Sequence, residues 1–535
     1  MPPNARIRPT RDLNAPPPTW RERRAALRHV PALLKLVWRT HRGYAAAMVA
    51  LRVLRAFVPV IALWVGKLII DAVVAAQRGQ GDGGRLVRLV LLELAVVVIG
   101  EVLARASVLA ESLLGDLFSN RLSVQLMEHA ATLDLAQFED PTFYDQLERA
   151  RRQTVGRIGL LTQITSMAQD TLTLVTLAAA LVAYNPWLIL LLLAAILPSV
   201  YGETHFAALG YSLLFSWTPQ RRQLDYLRFV GASDKTAKEV QMFGLAGWLT
   251  EQYRVLSDQF YEENKKLSLR KGLIGALLSI LGTLGYYAAY GLILRSAFAG
   301  LIAIGTLTFL AASFGRSRDL MQRLLLGATD VYEQALYLKD LFGFFEVQPT
   351  ITSKAGARPV PNPIREGFVF EDVGFRYPES ERWAVRHVNF ALRRGERVAL
   401  VGENGAGKTT ITKLLARLYD PTEGRVLLDG VDLREYDLAS LRDAIGVIFQ
   451  DFVRYDMAFD ENVGVGQIAA TRDYLESARG STDAMVGGDA IPALISDAAE
   501  QSLASSLLPR LPAGYRQMLG RRFEGGVDLS GGEWQ

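Results

Sequence analysis

The residues with the clearest chemical role form a glycine-rich loop in the stretch RVALVGENGAGKTTITKLLARLY, residues 397–419. Residues 402–409 match the pattern G-x-x-x-x-G-K-[ST]. Glycines let backbone N–H groups wrap phosphates at a helix N-terminus, where Lys408 would neutralise the β- and γ-phosphates and Thr409 would bind Mg²⁺. The loop therefore predicts a nucleotide site.

Two elements must flank such a loop and hold it in place. The apolar run from Val398 to Val401 predicts a strand before the loop. A buried helical stripe is predicted after it, formed by Ile411, Leu414, Leu415 and Leu418. This context makes the match specific, because the motif alone also occurs by chance.

Composition predicts a membrane half joined to a soluble half. The 535 residues are 50% hydrophobic with a mean hydropathy of +0.15, yet 21% are charged. The net charge of +4 is too small to indicate nucleic acid as a partner. The lack of cysteine excludes disulfides, thiolate zinc sites and cysteine catalysis.

Apolar segments long enough to cross a bilayer predict a six-helix transmembrane domain. They lie near residues 44–76, 86–110, 160–183, 187–208, 272–294 and 300–325. Ten Lys or Arg residues precede Tyr44, and the long connections 111–159 and 209–271 are also basic. Because cytoplasmic loops carry this excess, both termini and both long extensions are expected in the cytoplasm.

Four regions follow from these patterns. Residues 1–43 are a cytoplasmic N-terminus with an interfacial helix, on which Leu27, Val30, Leu34 and Trp38 share one face. A soluble amphipathic helix is the alternative. Residues 44–346 are the transmembrane domain, the proline-rich stretch 347–363 is a linker, and 364–535 are an α/β nucleotide-binding domain of the P-loop type.

The order of motifs resembles an exporter-type ATP-binding cassette (ABC) half-transporter over essentially the whole chain. Six predicted spans are followed by FRYPES (375–380), GENGAGKTT (402–410), VIFQDF (447–452) and LSGGE (529–533). The resemblance implies an all-α transmembrane domain of ABC exporter type. It also implies that the tips of the two cytoplasmic extensions, near Phe143 and Glu239, act as coupling helices.

The resemblance assigns roles to individual residues. Tyr377 would stack on adenine, although an ordinary strand aromatic is the alternative. Lys408 and Gln450 would act in catalysis, and Thr409 and Gln450 would hold Mg²⁺. The residues implied to bind ATP are Tyr377, Gly402, Asn404, Gly405, Gly407, Lys408, Thr409 and Thr410, with Ser530, Gly531 and Gly532 reaching the ATP of a second subunit.

The function that the resemblance implies is ATP-driven export of a hydrophobic or amphipathic solute: a lipid, a peptide or a drug-like molecule. The protein would be a multi-pass ATPase and translocase of the bacterial inner membrane, surrounded by lipid. Its partner would be a second half-transporter, in a homodimer or a heterodimer. The alternative is a nucleotide-binding, non-hydrolysing degenerate or regulatory half that pairs with a complete half-transporter.

Family members continue past the signature motif, which is LSGGE (529–533) here, into a strand ending in Asp-Glu and then a switch His. The last residues of this sequence, 533–535, come before these elements. The chain is therefore expected to be truncated, as an incomplete gene product or through a frameshift, and not to hydrolyse ATP alone. Asp429 in RVLLDG is interpreted as part of a peripheral turn, and Glu533 as a poor general base. Within the membrane, Glu101 and Arg105 are expected to pair at a spacing of i, i+4. Substrate contact and interfacial snorkelling are the alternatives.

Overall fold

The computed structural model describes residues 27–140, 143, 147–148, 158–378, 380–478 and 491–535. The chain divides into two compact units. The first comprises Met1–Leu133 and Pro141–Gln348, and the second comprises Asp134–Asp140 and Pro349–Gln535. Most residues around the tip expected near Phe143 lie outside the described residues, as do the first 26 positions.

The first unit is built from long helices. In chain order they are α1 (Val30–Thr40), α2 (Arg42–Gln77), α3 (Gly83–Thr132), α5 (Ile158–Tyr184), α6 (Trp187–Ser216), α7 (Thr218–Gly231), α8 (Ala237–Met242), α9 (Ala246–Phe298) and α10 (Ile304–Glu346), while α4 (Leu135–Glu139) belongs to the second unit. Asn185 and Pro186 separate α5 from α6, as the turn signal in the sequence predicts. The side-chain carboxylate of Asp71 accepts a hydrogen bond from the backbone N–H of Gly305 and thereby caps α10.

Each predicted span lies within one of these helices, except that α10 begins at Ile304 rather than at residue 300. Among the described residues, three helices are long and apolar enough to cross a membrane, namely Arg42–Gln77, Gly159–Tyr184 and Ala246–Phe298. The six-span topology as a whole remains a prediction.

Charged residues of α2 and α3 form two kinds of pair. The expected pair of Glu101 and Arg105 is confirmed, with Nε of Arg105 3.1 Å from Oε1 of Glu101 on the exposed face of α3. Arg52 of α2 instead pairs with Glu111 of α3, and both residues are buried. Sequence spacing did not indicate this second pair.

Helix α1 carries two apolar faces rather than one. Leu33 and Val37 are buried within the first unit, whereas Leu34 and Trp38 are exposed. An exposed Trp beside Lys35 and Arg39 is the arrangement that membrane-surface helices use. The interfacial position of this helix remains a prediction.

The second unit contains a four-stranded antiparallel sheet with strand order β2-β1-β3-β4. The strands are β1 (Gly367–Phe375), β2 (Val385–Arg393), β3 (Glu423–Leu428) and β4 (Val431–Asp432). Phe370 on β1 stacks on Phe390 of β2 with ring centroids 4.4 Å apart. One face of this sheet packs on the helix that follows the glycine-rich loop, through Leu414.

The helices of the second unit after α4 are short. They are α11 (Lys408–Leu415), α12 (Leu438–Asp443), α13 (Phe459–Gly464), α14 (Ile468–Ala478), α15 (Ala493–Gln501) and α16 (Gly531–Trp534). The α11 stripe is confirmed, because Leu414 is buried and Ile411, Leu415 and Leu418 pack around the same core. A separate core around Phe459 packs α13 and α15 with the segment before α16.

The strand predicted from Val398 to Val401 is wrong for this structure. These residues have no strand pairing, and Val401 is 94% exposed. The stretch ending at Phe449 is also unpaired, and its Ile448 is exposed. The physical reason is that a strand exists only through hydrogen bonds to a neighbour, and an apolar run does not specify that neighbour.

Candidate nucleotide-binding site

The glycine-rich loop ends where α11 begins, and Gly407 is the N-cap of that helix. Gly405 and Gly407 have φ of +84° and +91°, a conformation that glycine adopts without strain. A Cβ at Gly407 would lie 2.3 Å from Cγ1 of Val385 and 2.9 Å from the carbonyl oxygen of Ala384. Only glycine therefore permits this close approach of the loop to β2.

Lys408 closes the loop on itself. Its Nζ donates hydrogen bonds to the carbonyl oxygens of Gly402 and Glu403, at 2.7 and 2.8 Å. The ammonium group is thereby held over the loop that precedes α11. Asn404 and Thr409 are both exposed, so a phosphate group could reach them. A positive charge at a helix N-terminus suits a polyphosphate.

Tyr377 lies beside the first turn of α11. Its phenol oxygen is 3.1 Å from Oγ1 of Thr410, whose residue is buried. Its ring meets those of Phe375 and Tyr419 edge to face, with centroids 5.0 and 5.6 Å apart. The structure thus brings together three of the predicted ATP-binding elements: the aromatic residue, the glycine-rich loop and the start of α11.

The signature residues lie at the start of α16, which packs with the separate core around Phe459. Ser530 is the N-cap: its Oγ accepts from the N–H of Glu533, and its own N–H donates to Oε2 of Glu533 at 2.7 Å. Gly531 and Gly532 follow on the exposed first turn. The signature and the glycine-rich loop are therefore positioned by different cores of the same unit.

Glu533 is held as a carboxylate. The hydrogen bond from the backbone N–H of Ser530, supported by the guanidinium of Arg510, lowers the pKa of Glu533 to about 2. A carboxylate with this pKa is a weak proton acceptor. Its environment agrees with the interpretation that Glu533 is a poor general base.

Gln450 lies on an exposed turn after the unpaired stretch that ends at Phe449. Four positions later, Arg454 approaches the signature, with Nη2 3.7 Å from where a Cβ of Gly531 would be. The segment after Gln450 thus lies near the signature helix. The predicted roles of Gln450 in Mg²⁺ binding and catalysis are not decided by this placement.

Asp429 has the surroundings of a structural turn residue. Its carboxylate accepts hydrogen bonds from the backbone N–H groups of Arg365, Glu366 and Gly367 at 2.7–2.9 Å. Partial burial works against ionisation, but these three bonds outweigh it and lower the pKa of Asp429. Through these bonds Asp429, which follows β3, holds the backbone at the start of β1.

Sequence reasoning missed a charged residue close to this site. Glu139, on α4, contacts Lys413 of α11 and Tyr419. Lys413 and Tyr419 lie within residues 397–419, so their closeness to the nucleotide site could be predicted from the sequence. Their partner is more than 270 positions away in the chain, and nothing in its local pattern distinguishes it.

Residues 385–535 match the family model described as ABC transporter. The subtilin transport ATP-binding protein SpaT of Bacillus subtilis is 27% identical over 95% of this chain and 79% of its own length. The nisin transport ATP-binding protein NisT of Lactococcus lactis is 24% identical over 82% of this chain and 73% of its own length. An ATP-dependent lipid A-core flippase of Chromohalobacter salexigens is 26% identical over 70% of this chain and 61% of its own length.

A solved structure has a similar fold over most of the chain. It is described as a bacterial Atm1-family ABC exporter with ATP bound. The likeness has a TM-score of 0.66 at 20% identity, and it covers 92% of this chain and 82% of that one.

Proposed function

We propose that this chain is an ABC exporter half-transporter that binds Mg·ATP at the glycine-rich loop to drive export. Residues 385–535 match the ABC transporter model, and relatives named for transport and lipid flipping are similar over most of the chain. The observation that carries the site is the geometry around Lys408, whose ammonium lies over the loop at the start of α11. The alternative of a non-hydrolysing regulatory half is not favoured, since the relatives are named for transport.

The residues present suit a magnesium nucleotide. The backbone N–H groups at the start of α11 and the Lys408 ammonium would bind the phosphates. The Thr409 hydroxyl and the Gln450 amide would hold Mg²⁺, which neutralises phosphate charge when bound. Tyr377 would hold the adenine by stacking.

Export requires two such cassettes in our proposal. Ser530 and the first turn of α16 would contact the nucleotide held by Lys408 of a second copy or of a related half-transporter. This suits the structure, because α16 and α11 are placed by separate cores, with Ser530 and Thr409 both exposed. Closing two cassettes around ATP supplies the differential affinity that a conformational switch needs.

The proposed cargo is an amphipathic peptide or a lipid. This rests on relatives named for subtilin transport, nisin transport and lipid A-core flipping. The proposed location is the bacterial inner membrane with both termini in the cytoplasm, supported by basic residues before Tyr44 and by the three apolar helices. Lipid contact at α1 would occur through Leu34 and Trp38.

The site is tested by nucleotide binding to the 535-residue chain in detergent. Lys408→Ala should weaken Mg·ATP binding by about tenfold to a hundredfold, the size of charge-assisted bonds to a phosphate. Isothermal titration measures the affinity, and Lys354→Ala removes an exposed lysine of the same unit as the matched control. Equal affinity in both variants would contradict a phosphate site at the loop.

ATP turnover is a separate measurement on the same preparations. Phosphate release that depends on Lys408 would show that the 535 residues contain a working general base, contrary to the expectation from their motifs. Binding without release would agree with that expectation. Neither result alters the binding test.

A further inference from the structure

The short segment Asp134–Asp140 packs as part of the second unit although the residues on either side of it belong to the first. The buried carboxylate of Asp134 accepts hydrogen bonds from the N–H and hydroxyl of Thr350 and from the N–H of Ile351, at 2.5–3.1 Å. Leu135 and Ala136 then pack against the core beneath α11. One end of the segment is thus firmly attached to the second unit.

The other end is attached through Glu139. One of its carboxylate oxygens lies 2.7 Å from Nζ of Lys413, and the other accepts a hydrogen bond from the phenol of Tyr419. Tyr419 is 4% exposed and the side chain of Lys413 is 17% exposed, so both partners are largely withdrawn from water. Burial lowers the pKa of Lys413, but the bond to Glu139 and the neighbouring Tyr377 outweigh it, and its pKa is raised. The carboxylate therefore stabilises a charged lysine at this position.

Both partners of Glu139 touch Tyr377. Nζ of Lys413 lies 5.3 Å from the centroid of the Tyr377 ring, within the range of a cation–π contact. The rings of Tyr377 and Tyr419 meet at 82°, edge to face. A further contact at the phenol oxygen comes from Thr410. The orientation of Tyr377 therefore depends on a set of contacts that Glu139 holds together.

We infer that Glu139 is a positioning residue for the purine base: through Lys413 and Tyr419 it orients Tyr377 for stacking. The inference rests on the proposed function, since it needs Tyr377 to bind the base. A ring already held in its binding orientation loses less rotamer entropy when a base stacks on it, so affinity rises without a new ligand contact. Base binding thus depends on the segment Asp134–Asp140, which is joined at both ends to residues of the first unit.

The test separates base binding from phosphate binding in the full 535-residue chain. ATP carries a base, whereas inorganic tripolyphosphate occupies only a phosphate site. Affinities for both probes are measured by isothermal titration for Glu139→Ala, Glu139→Gln and Tyr377→Ala, with Glu524→Ala as an exposed acidic control in the same unit. Circular dichroism and the melting midpoint without nucleotide identify any variant that is misfolded.

Tyr377→Ala should weaken ATP binding about tenfold or more while leaving tripolyphosphate binding unchanged, as expected for loss of stacking. Glu139→Ala should weaken ATP binding about three- to fivefold, again without affecting tripolyphosphate. The effect is modest because the Glu139 side chain, unlike its partners, is 40% exposed. Glu139→Gln should fall between Glu139→Ala and the wild type, since an amide oxygen still accepts from Tyr419. In the Glu139→Ala/Tyr377→Ala double variant the two losses should not add.

The outcomes separate the two claims. If Tyr377→Ala leaves ATP affinity unchanged, the proposed adenine site is itself wrong. If Tyr377→Ala weakens ATP binding but Glu139→Ala does not, or if Glu139→Ala weakens both probes equally, the positioning role is overturned and Glu139 only supports the fold. Additive losses in the double variant would also overturn it.

Discussion

Substitutions in the buried pair of Arg52 and Glu111 should be among the most destabilising in the first unit. Nε of Arg52 donates to Oε1 of Glu111 at 2.8 Å, and Nη1 donates to Oγ of Ser166 at 2.7 Å and to Oε1 of Gln169 at 3.4 Å. The guanidinium therefore connects α2, α3 and α5. Both charged residues are less than a tenth exposed, so water cannot replace a lost partner.

Glu111→Gln keeps the shape of the side chain but removes the negative charge. The guanidinium then stays buried without a counter-charge. Loss of one partner of a buried pair lowers the free energy of unfolding by about 3–5 kcal/mol. Replacing both residues, as Arg52→Met with Glu111→Leu, removes the buried charge altogether and should recover most of that loss. The exposed pair of Glu251 and Arg254 is the control, because such a pair contributes about 0–1 kcal/mol.

The assay is heating of the detergent-solubilised chain, followed by size-exclusion detection of the fraction that remains monodisperse. Apparent midpoints are compared rather than free energies, since a chain of two units need not unfold in one step. Glu111→Gln should lower the midpoint clearly, the double variant should restore most of it, and Glu251→Gln should change it little. A Glu111→Gln midpoint equal to that of Glu251→Gln, or a double variant as unstable as the single one, would refute the reasoning.

Two further predictions concern topology and pH. A reporter that is active only outside the cytoplasm should work when fused at Ala299 and fail at Ala237, because basic residues mark the cytoplasmic extensions; activity at Ala237 would contradict the six-span topology. The pKa of Glu533 is lowered from 4.5 to about 2, so its carboxylate stabilises the start of α16 above pH 5 and loses this effect as the pH falls towards 2. The difference in melting midpoint between the wild type and Glu533→Gln should therefore shrink between pH 5 and pH 3, and a constant difference would argue against this linkage.

The sequence determined the features that depend on local chemistry. The spacing of Ile411 and Leu414 placed a helix after the glycine-rich loop, and that helix begins at Lys408 as the motif requires. Gly407 was predictable from the motif, and the structure shows why glycine is needed there: φ is +91° and a Cβ would collide with Val385. Long apolar runs likewise predicted the helices of the first unit, since a helix satisfies its backbone hydrogen bonds within itself.

Only the tertiary structure decided which distant residues meet. Arg52 and Glu111 are 59 positions apart, and Glu139 and Lys413 are 274 apart. The spacing of residues along a helix or strand cannot predict pairs at these separations. The same limit explains the error at Val398–Val401, where an apolar pattern was mistaken for a paired strand. A helix takes its hydrogen bonds from its own neighbours in sequence, whereas a strand or a buried ion pair exists only once the fold has brought its partner into contact.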